Sequence, residues 1–176
     1  MSKSLSTATP TDIVILAGGP GKRMKIEHPK ALHQVFFRPM IHYVLDTAMA
    51  TPHRKICLIV GRGERELREQ CRSYSEIIIV RQETSSGTAN ALRGIESILK
   101  TTDSNVLILN GDMVLLTPRS LQDLLEKHVR TDSACTVGRS TTENEETEFL
   151  ISFSISCRLK PLFKERESSF LIFQIF

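Results

Sequence analysis

Neither sign of charge dominates this sequence: 23 Lys and Arg stand against 20 Asp and Glu, a formal net charge of +3. So weak a balance excludes a general attraction to nucleic acid or to an anionic membrane, and any positive charge that matters has to be local. Long apolar runs are missing as well. No stretch approaches the roughly 18 apolar residues of a membrane span, and the N-terminal "MSKSLSTATPTD" lacks the apolar segment of a secretory signal, so a cytoplasmic protein is expected. Four cysteines, Cys57, Cys71, Cys135 and Cys157, lie far apart without a CxxC pair. That spacing excludes a zinc knuckle and a compact disulfide framework and leaves reduced thiols. His28, His33, His42, His53 and His128 form no HxxxH or HExxH pair, so none is assigned to a metal.

What the sequence does contain is alternation. With 40% apolar and 24% charged residues over 176 positions, the chain can build one ordinary globular core. Residues 1–11 are small and polar and read as a disordered tail. From Asp12 on, "DIVILA" (12–17), "KICLIV" (55–60), "EIIIV" (76–80), "NVLILNGD" (105–112) and "ACTV" (134–137) are apolar on both faces, the pattern of strands buried between helices. Between them, "PMIHYVLDTAM" places Pro39 in the first turn and gathers Met40, Ile41, Val44, Leu45 and Ala48 on one face. "TANALRGIESILK" does the same with Leu92, Ile95, Ile98 and Leu99, and "PRSLQDLLEKH" with Leu121, Leu124 and Leu125. A β-α-β-α order with crossover helices predicts an α/β fold, a doubly wound and mostly parallel sheet over residues 12–145. Ligands of such sheets bind beyond the carboxyl ends of the strands.

After about residue 140 the character changes. The acidic run "RSTTENEETE" precedes "FLISFSISC", in which Ile151, Phe153, Ile155 and Cys157 alternate with serines as in a half-buried strand. The chain closes on "SSFLIFQIF", an uncharged apolar segment that has to be covered. Residues 146–176 are therefore set apart as a divergent C-terminal segment, truncated or altered relative to a complete α/β domain. A parallel sheet short of its later strands exposes apolar edge and face, and self-association is expected.

The densest local feature is "LAGGPGKRMKIEHPKALH", residues 16–33, directly after the first strand. Gly18, Gly19 and Gly21 let backbone N–H groups approach an anion without a Cβ in the way, and Lys22 and Arg23 add charge, so phosphate is the natural ligand. A dinucleotide fingerprint is excluded, because Met24 stands where the third glycine of GxGxxG is needed and no acidic residue closes the second strand. A Walker A loop is excluded too, because Leu16 occupies its first glycine position and Arg23 follows the lysine. A sharp turn is the other use to which these glycines could be put.

This stretch resembles the signature of the sugar-1-phosphate nucleotidyltransferases, roughly L-A-[AG]-G-x-G-[ST]-R-[LM] followed after a few residues by P-K. The "PKALH" ending (Pro29 to His33) and the following "PMIHYVLD" are most similar to the bacterial N-acetylglucosamine-1-phosphate uridyltransferases. Two further blocks fall in the family's order: "RQETSSGTANAL" resembles its nucleobase segment and "LILNGDMVLL" its metal-binding strand end. The resemblance covers about residues 12–138. It departs at position 22, where the family has Thr or Ser and this chain has Lys.

The resemblance implies a Rossmann-like nucleotidyltransferase fold and a uridylyl transfer from UTP to a sugar 1-phosphate, with Mg²⁺ and with release of pyrophosphate. Carried over, Leu16, Ala17, Gly18, Gly19 and Gly21 hold the nucleotide, Arg23 grips the departing pyrophosphate, and Lys30 neutralises the reacting phosphates. Gln82 has an amide able to read a uracil edge, Gly87 and Thr88 open a helix against base or ribose, and Asp112 supplies a carboxylate to Mg²⁺. The bland readings stay open beside these: solvated surface cations for Arg23 and Lys30, an ordinary helix cap for "SSGTA", a turn for "NGD". The family's later sugar-binding residues and second metal ligand have no match, and no hexapeptide repeat suggests its β-helical domain. An active enzyme, a nucleotide-binding remnant or regulatory module, and a relative acting on another base or acceptor are therefore the three expectations.

Overall fold

The computed structural model describes residues 10–19, 28–61, 63–82, 91–92, 94–95, 98–99, 104–133 and 135–138, and the backbone of 154–158. Strand β1 (Thr11–Ala17) is the centre of a six-stranded sheet. It pairs in parallel with β4 (Lys55–Val60) on one side and β6 (Asn105–Asn110) on the other, and β4 pairs in parallel with β5 (Ile77–Arg81). The sheet order is β5-β4-β1-β6-β8-β7, with β7 at Cys135–Gly138 and β8 at Ser154–Arg158. The doubly wound, mostly parallel α/β fold is the one the alternating pattern predicts.

Both faces of the sheet are covered, which is why its inner strands read as continuous apolar runs. Ile13, Ile15, Ile56, Leu58, Leu107 and Leu109 face one layer, built from α1 (Met40–Met49), α2 (Glu64–Gln70) and α3 (Pro118–Thr131). Val14, Cys57, Ile59, Val106 and Ile108 face the other, where Ala91, Leu92, Ile95 and Leu99 are buried. Alternate residues of one strand thus serve different layers. All five residues assigned to the inner face of α1 are buried, though the helix begins after Pro39, which caps it. Helix α3 starts at Pro118 behind Thr117, whose hydroxyl accepts from the Ser120 amide at 3.1 Å. Helix α2 was not anticipated. It is held at the surface by Leu67 alone among its residues, a signal too sparse for a periodicity argument. Of the expected 88–100 helix, Leu92, Ile95 and Leu99 are buried and the remainder lies largely outside the described residues.

Three strand expectations need correction. "EIIIV" is not buried between helices: it is the outer strand β5, with no residue fully buried and Ile78 exposed. "NVLILNGD" is strand only to Asn110, because Gly111 and Asp112 form a turn closed by Met113 N–H on the Asn110 carbonyl at 3.3 Å. "ACTV" is not a buried parallel strand: β7 runs antiparallel to β8 at the sheet edge, with Cys135 and Val137 exposed. An antiparallel edge strand tolerates one wet face, and four residues are too few to reveal it. The strand foreseen near 151–157 exists at 154–158, and it enters between β6 and β7, antiparallel to both. The segment after residue 145 therefore contributes to the same sheet.

At the amino ends of the strands lies an ion pair with a buried carboxylate. Asp12 is fully buried and is gripped by both Nε, at 2.9 Å, and Nη2 of Arg54, with Ser104 Oγ at 3.4 Å. The hydrogen bond to Asp12 holds the Arg54 guanidinium above its ordinary value against the opposing effect of burial. Burial also pushes the Cys57 and Cys71 thiols up to about 11, leaving them unreactive at neutral pH. No helix among the described residues is long and apolar enough to cross a membrane.

A two-residue hairpin joins β2 (Gln34–Val35) to β3 (Arg38–Pro39). Its tip is Phe36 and Phe37, 88% and 96% exposed and at φ of 49° and 63°. A turn with two positive φ values favours Asn-Gly, and bulky aromatics there are strained.

Two measurements follow. Arg54→Ala leaves the Asp12 carboxylate buried and unpaired and should cost about 3 kcal/mol or more in urea unfolding. Phe36→Asn with Phe37→Gly relieves the turn and should raise unfolding stability by about 1 kcal/mol or more.

Candidate functional site

The carboxyl ends of the parallel strands come out level, because β1 is in register with its neighbours: Ala17 lies opposite Val60, and Leu16 opposite Asn110. Each strand then delivers a small or polar group to the same edge. After β1 come Gly18 and Gly19, after β4 Gly61, after β5 Gln82, and after β6 Gly111 and Asp112. The Gln82 amide N–H is anchored on the Val60 carbonyl at 2.7 Å, and the Gly111 amide on the Leu16 carbonyl at 2.9 Å.

Close backbone approach explains the glycines here. A Cβ on Gly18 would stand 2.8 Å from Gln82 Oε1, and one on Gly61 would stand 2.7 Å from the Gly18 carbonyl oxygen. The Gly61 contact is with backbone and cannot give way, so β1 and β4 converge as they do only while position 61 stays glycine; at Gly18 the neighbour is the end of the flexible Gln82 side chain, which can move aside. Among the described residues, nothing lies within 4 Å of a Cβ placed on Gly19.

Lys30 reaches this edge from a separate piece of chain. It opens a short 3₁₀ turn, Lys30–Leu32, in which the Leu32 amide bonds to the Pro29 carbonyl at 2.9 Å. Pro29 is buried against Gly63, Ala31 against Gly111, and His28 Nδ1 meets Glu66 Oε2 at 3.1 Å. Fixed from three sides, Lys30 places Nζ 2.5 Å from Asp112 Oδ2. Both side chains are about a third to a half exposed, so the ion pair is worth little and opens readily for a stronger partner. A phosphate on Lys30 and a cation on Asp112 would satisfy both groups better than they satisfy each other.

Of the residues singled out from sequence, Leu16, Ala17, Gly18, Gly19, Lys30, Gln82 and Asp112 gather at this edge. Gly21, Arg23, Gly87 and Thr88 lie outside the described residues. Leu16 contributes its backbone, since its carbonyl carries Gly111 while its side chain packs toward the second core layer. Gly61 and Gly63 close the second strand and carry a structural role that the sequence analysis did not assign. Gly63 sits at φ 81°, caps α2, and lies so close to Pro29 that a Cβ would fall 2.2 Å from Pro29 Cγ. Two glycines closing a buried strand, "VGRG", were the available signal.

Asp112 offers a cation hard oxygen from one carboxylate, and among the described residues no group of three or more His, Cys, Asp or Glu side chains converges. One such carboxylate suits a hard divalent cation that completes its shell with other oxygen ligands.

Three comparisons bear on this geometry. The family model described as the MobA-like NTP transferase domain matches residues 13–168. The chain is 36% identical over 140 residues to the bifunctional protein GlmU of Desulfotalea psychrophila, covering 80% of this chain and 41% of that protein. It spans less than half the length of the curated relatives it matches. Its fold is shared with Rv0371c of Mycobacterium tuberculosis, solved in complex with manganese, at a TM-score of 0.59 and 19% identity over 74% of this chain and 65% of that one. It is shared too with UDP-glucose pyrophosphorylase complexed with UDP-glucose, at a TM-score of 0.61 and 13% identity over 85% and 76%.

The Gly63 and Pro29 contact has a direct test. Gly63→Ala puts a Cβ into Pro29 at a left-handed backbone position and should lower unfolding stability by about 2 kcal/mol, read by thermal or denaturant melting.

Proposed function

The chain belongs to the MobA-like NTP transferase domain family, and on that premise we propose that it transfers a uridylyl group from UTP to N-acetylglucosamine 1-phosphate. The single observation carrying this reading is the meeting of Lys30 and Asp112, 82 residues apart, at the level edge where Gly18, Gly19 and Gln82 also stand. A cation and a carboxylate side by side at a glycine-lined edge suit phosphates together with a divalent metal. The "PKALH" block, the similarity to GlmU and the fold shared with an enzyme holding UDP-glucose favour a uridine nucleotide and a sugar phosphate.

In the proposed reaction an oxygen of the sugar 1-phosphate attacks the α-phosphorus of UTP in line. A new phosphorus–oxygen bond forms, the bond to the β-phosphate bridge breaks, and pyrophosphate leaves with its electron pair. The chain's task is positioning and charge neutralisation. Backbone amides of Gly18 and Gly19, with Gly21, line the nucleotide, and Gln82 pairs with the uracil edge, assisted by Gly87 and Thr88. Lys30 leaves Asp112 to hold the reacting phosphates, while Arg23 takes the pyrophosphate. Asp112, freed of Lys30, is the residue that would hold Mg²⁺, which supplies charge neutralisation at the phosphates when bound.

The test is pyrophosphate release by the purified chain with UTP, Mg²⁺ and N-acetylglucosamine 1-phosphate. Release is expected, with Lys30→Ala and Asp112→Ala each lowering it about 100-fold or more and chelation of the metal abolishing it. UTP binding without release would overturn transfer and leave a nucleotide-binding module. Unchanged metal-dependent nucleotide affinity in Asp112→Ala would remove the metal assignment.

A further inference from the structure

Away from Lys30 and Asp112, the molecule has an open cleft of about 560 Å³ between α2 and the end of β5. Four arginines line it: Arg65, Arg68 and Arg72 from α2 and its end, and Arg81 from β5. Spacings of three and four residues put the first three on one side of the helix, spread over about 10 Å at its rise per residue. Arg81 faces them from the sheet edge. In a chain whose net charge is only +3, this is a local concentration of guanidinium groups.

The acidic residues present do not use up this charge. Glu64 is shared, 2.8 Å from Arg68 Nε and 3.6 Å from Arg81 Nε, and Glu69 pairs with Arg72 at 2.7 Å. Arg65 forms no ion pair among the described residues. Arg68, Arg72 and Arg81 have half to three quarters of their side-chain surface exposed, so these pairs are weak and replaceable. Guanidinium forks favour bidentate oxyanions, and phosphate above all. The cleft volume is that of a small-molecule site, and the spread of the arginines calls for several linked anionic groups.

We propose that this cleft is a second anion site, taking a linear polyphosphate chain, either free or as the tail of a nucleotide. None of its arginines belongs to the set assigned to transfer, so the inference does not rest on that assignment. The cleft does touch the nucleotide edge, because Gly61 lines it and abuts Gly18.

The experiment is calorimetric titration of the full chain with inorganic tripolyphosphate, monophosphate and ATP, at low and raised ionic strength. Tripolyphosphate should bind at least about tenfold tighter than monophosphate and weaken with salt. The variant Arg65→Gln, Arg72→Gln, Arg81→Gln should bind at least about tenfold more weakly with an unchanged melting temperature; Arg68 is kept because its Nη2 also donates to the Ile79 carbonyl. The matching Arg→Lys triple variant keeps the charge but loses the forks, and its affinity should fall between the two. ATP binding more tightly than tripolyphosphate, with that binding weakened in the Gln variant, identifies the nucleotide as the source; equal binding identifies the bare chain. Lys30→Ala should leave tripolyphosphate affinity within about twofold. The proposal falls if the Gln variant binds as the parent does, if Lys30→Ala abolishes binding, or if neither polyphosphate binds.

Discussion

The common level at which the parallel strands end is the constraint on which the rest of this structure depends. Parallel pairing sets β1 in register with β4 and β6, so three loops leave the sheet at the same height and on the same side. The register is held by burial on both faces: a shift of one residue would exchange Ile13 and Ile15 with Val14 between two differently shaped layers. The hydrophobic effect, which knows nothing of ligands, thereby builds the edge at which ligand-binding groups are assembled.

The two ends of the sheet are built to different purposes. At the amino end, Arg54, itself partly exposed, closes on the fully buried Asp12, a contact that ties β1 to the start of β4. At the carboxyl end the equivalent pairing, Lys30 with Asp112, is left half exposed and is made between a turn and a loop. Solvent access makes the second pair weak and exchangeable. Around it, glycines at 61 and 63 allow approaches, to the Gly18 carbonyl and to the Pro29 ring, that a side chain would forbid.

The MobA-like NTP transferase match, residues 13–168, spans the sheet from the third residue of β1 and takes in its carboxyl edge. The hairpin of Phe36 and Phe37 follows a different logic. Its strained, exposed aromatics lie between the Lys30 turn and α1, and nothing in the packing explains them.

Much of the fold was legible in the sequence. Strands apolar on both faces announce a parallel sheet, and the five buried residues of α1 follow from helical spacing alone. The family was legible too, from the order of three blocks, and the match to the MobA-like NTP transferase domain over residues 13–168 agrees with it. Less legible were α2, with Leu67 its one buried residue, and β7, whose edge position depends on where β8 inserts.

The sequence by itself determined which residues could be buried, which could turn, and which carried charge, because these are properties of single side chains and their local spacing. Only the tertiary structure decided that Lys30 meets Asp112, that Gly63 seats Pro29 beneath that lysine, and that 154–158 pairs between β6 and β7. Such contacts join positions tens of residues apart through sheet register and close backbone approach, and no local pattern encodes either.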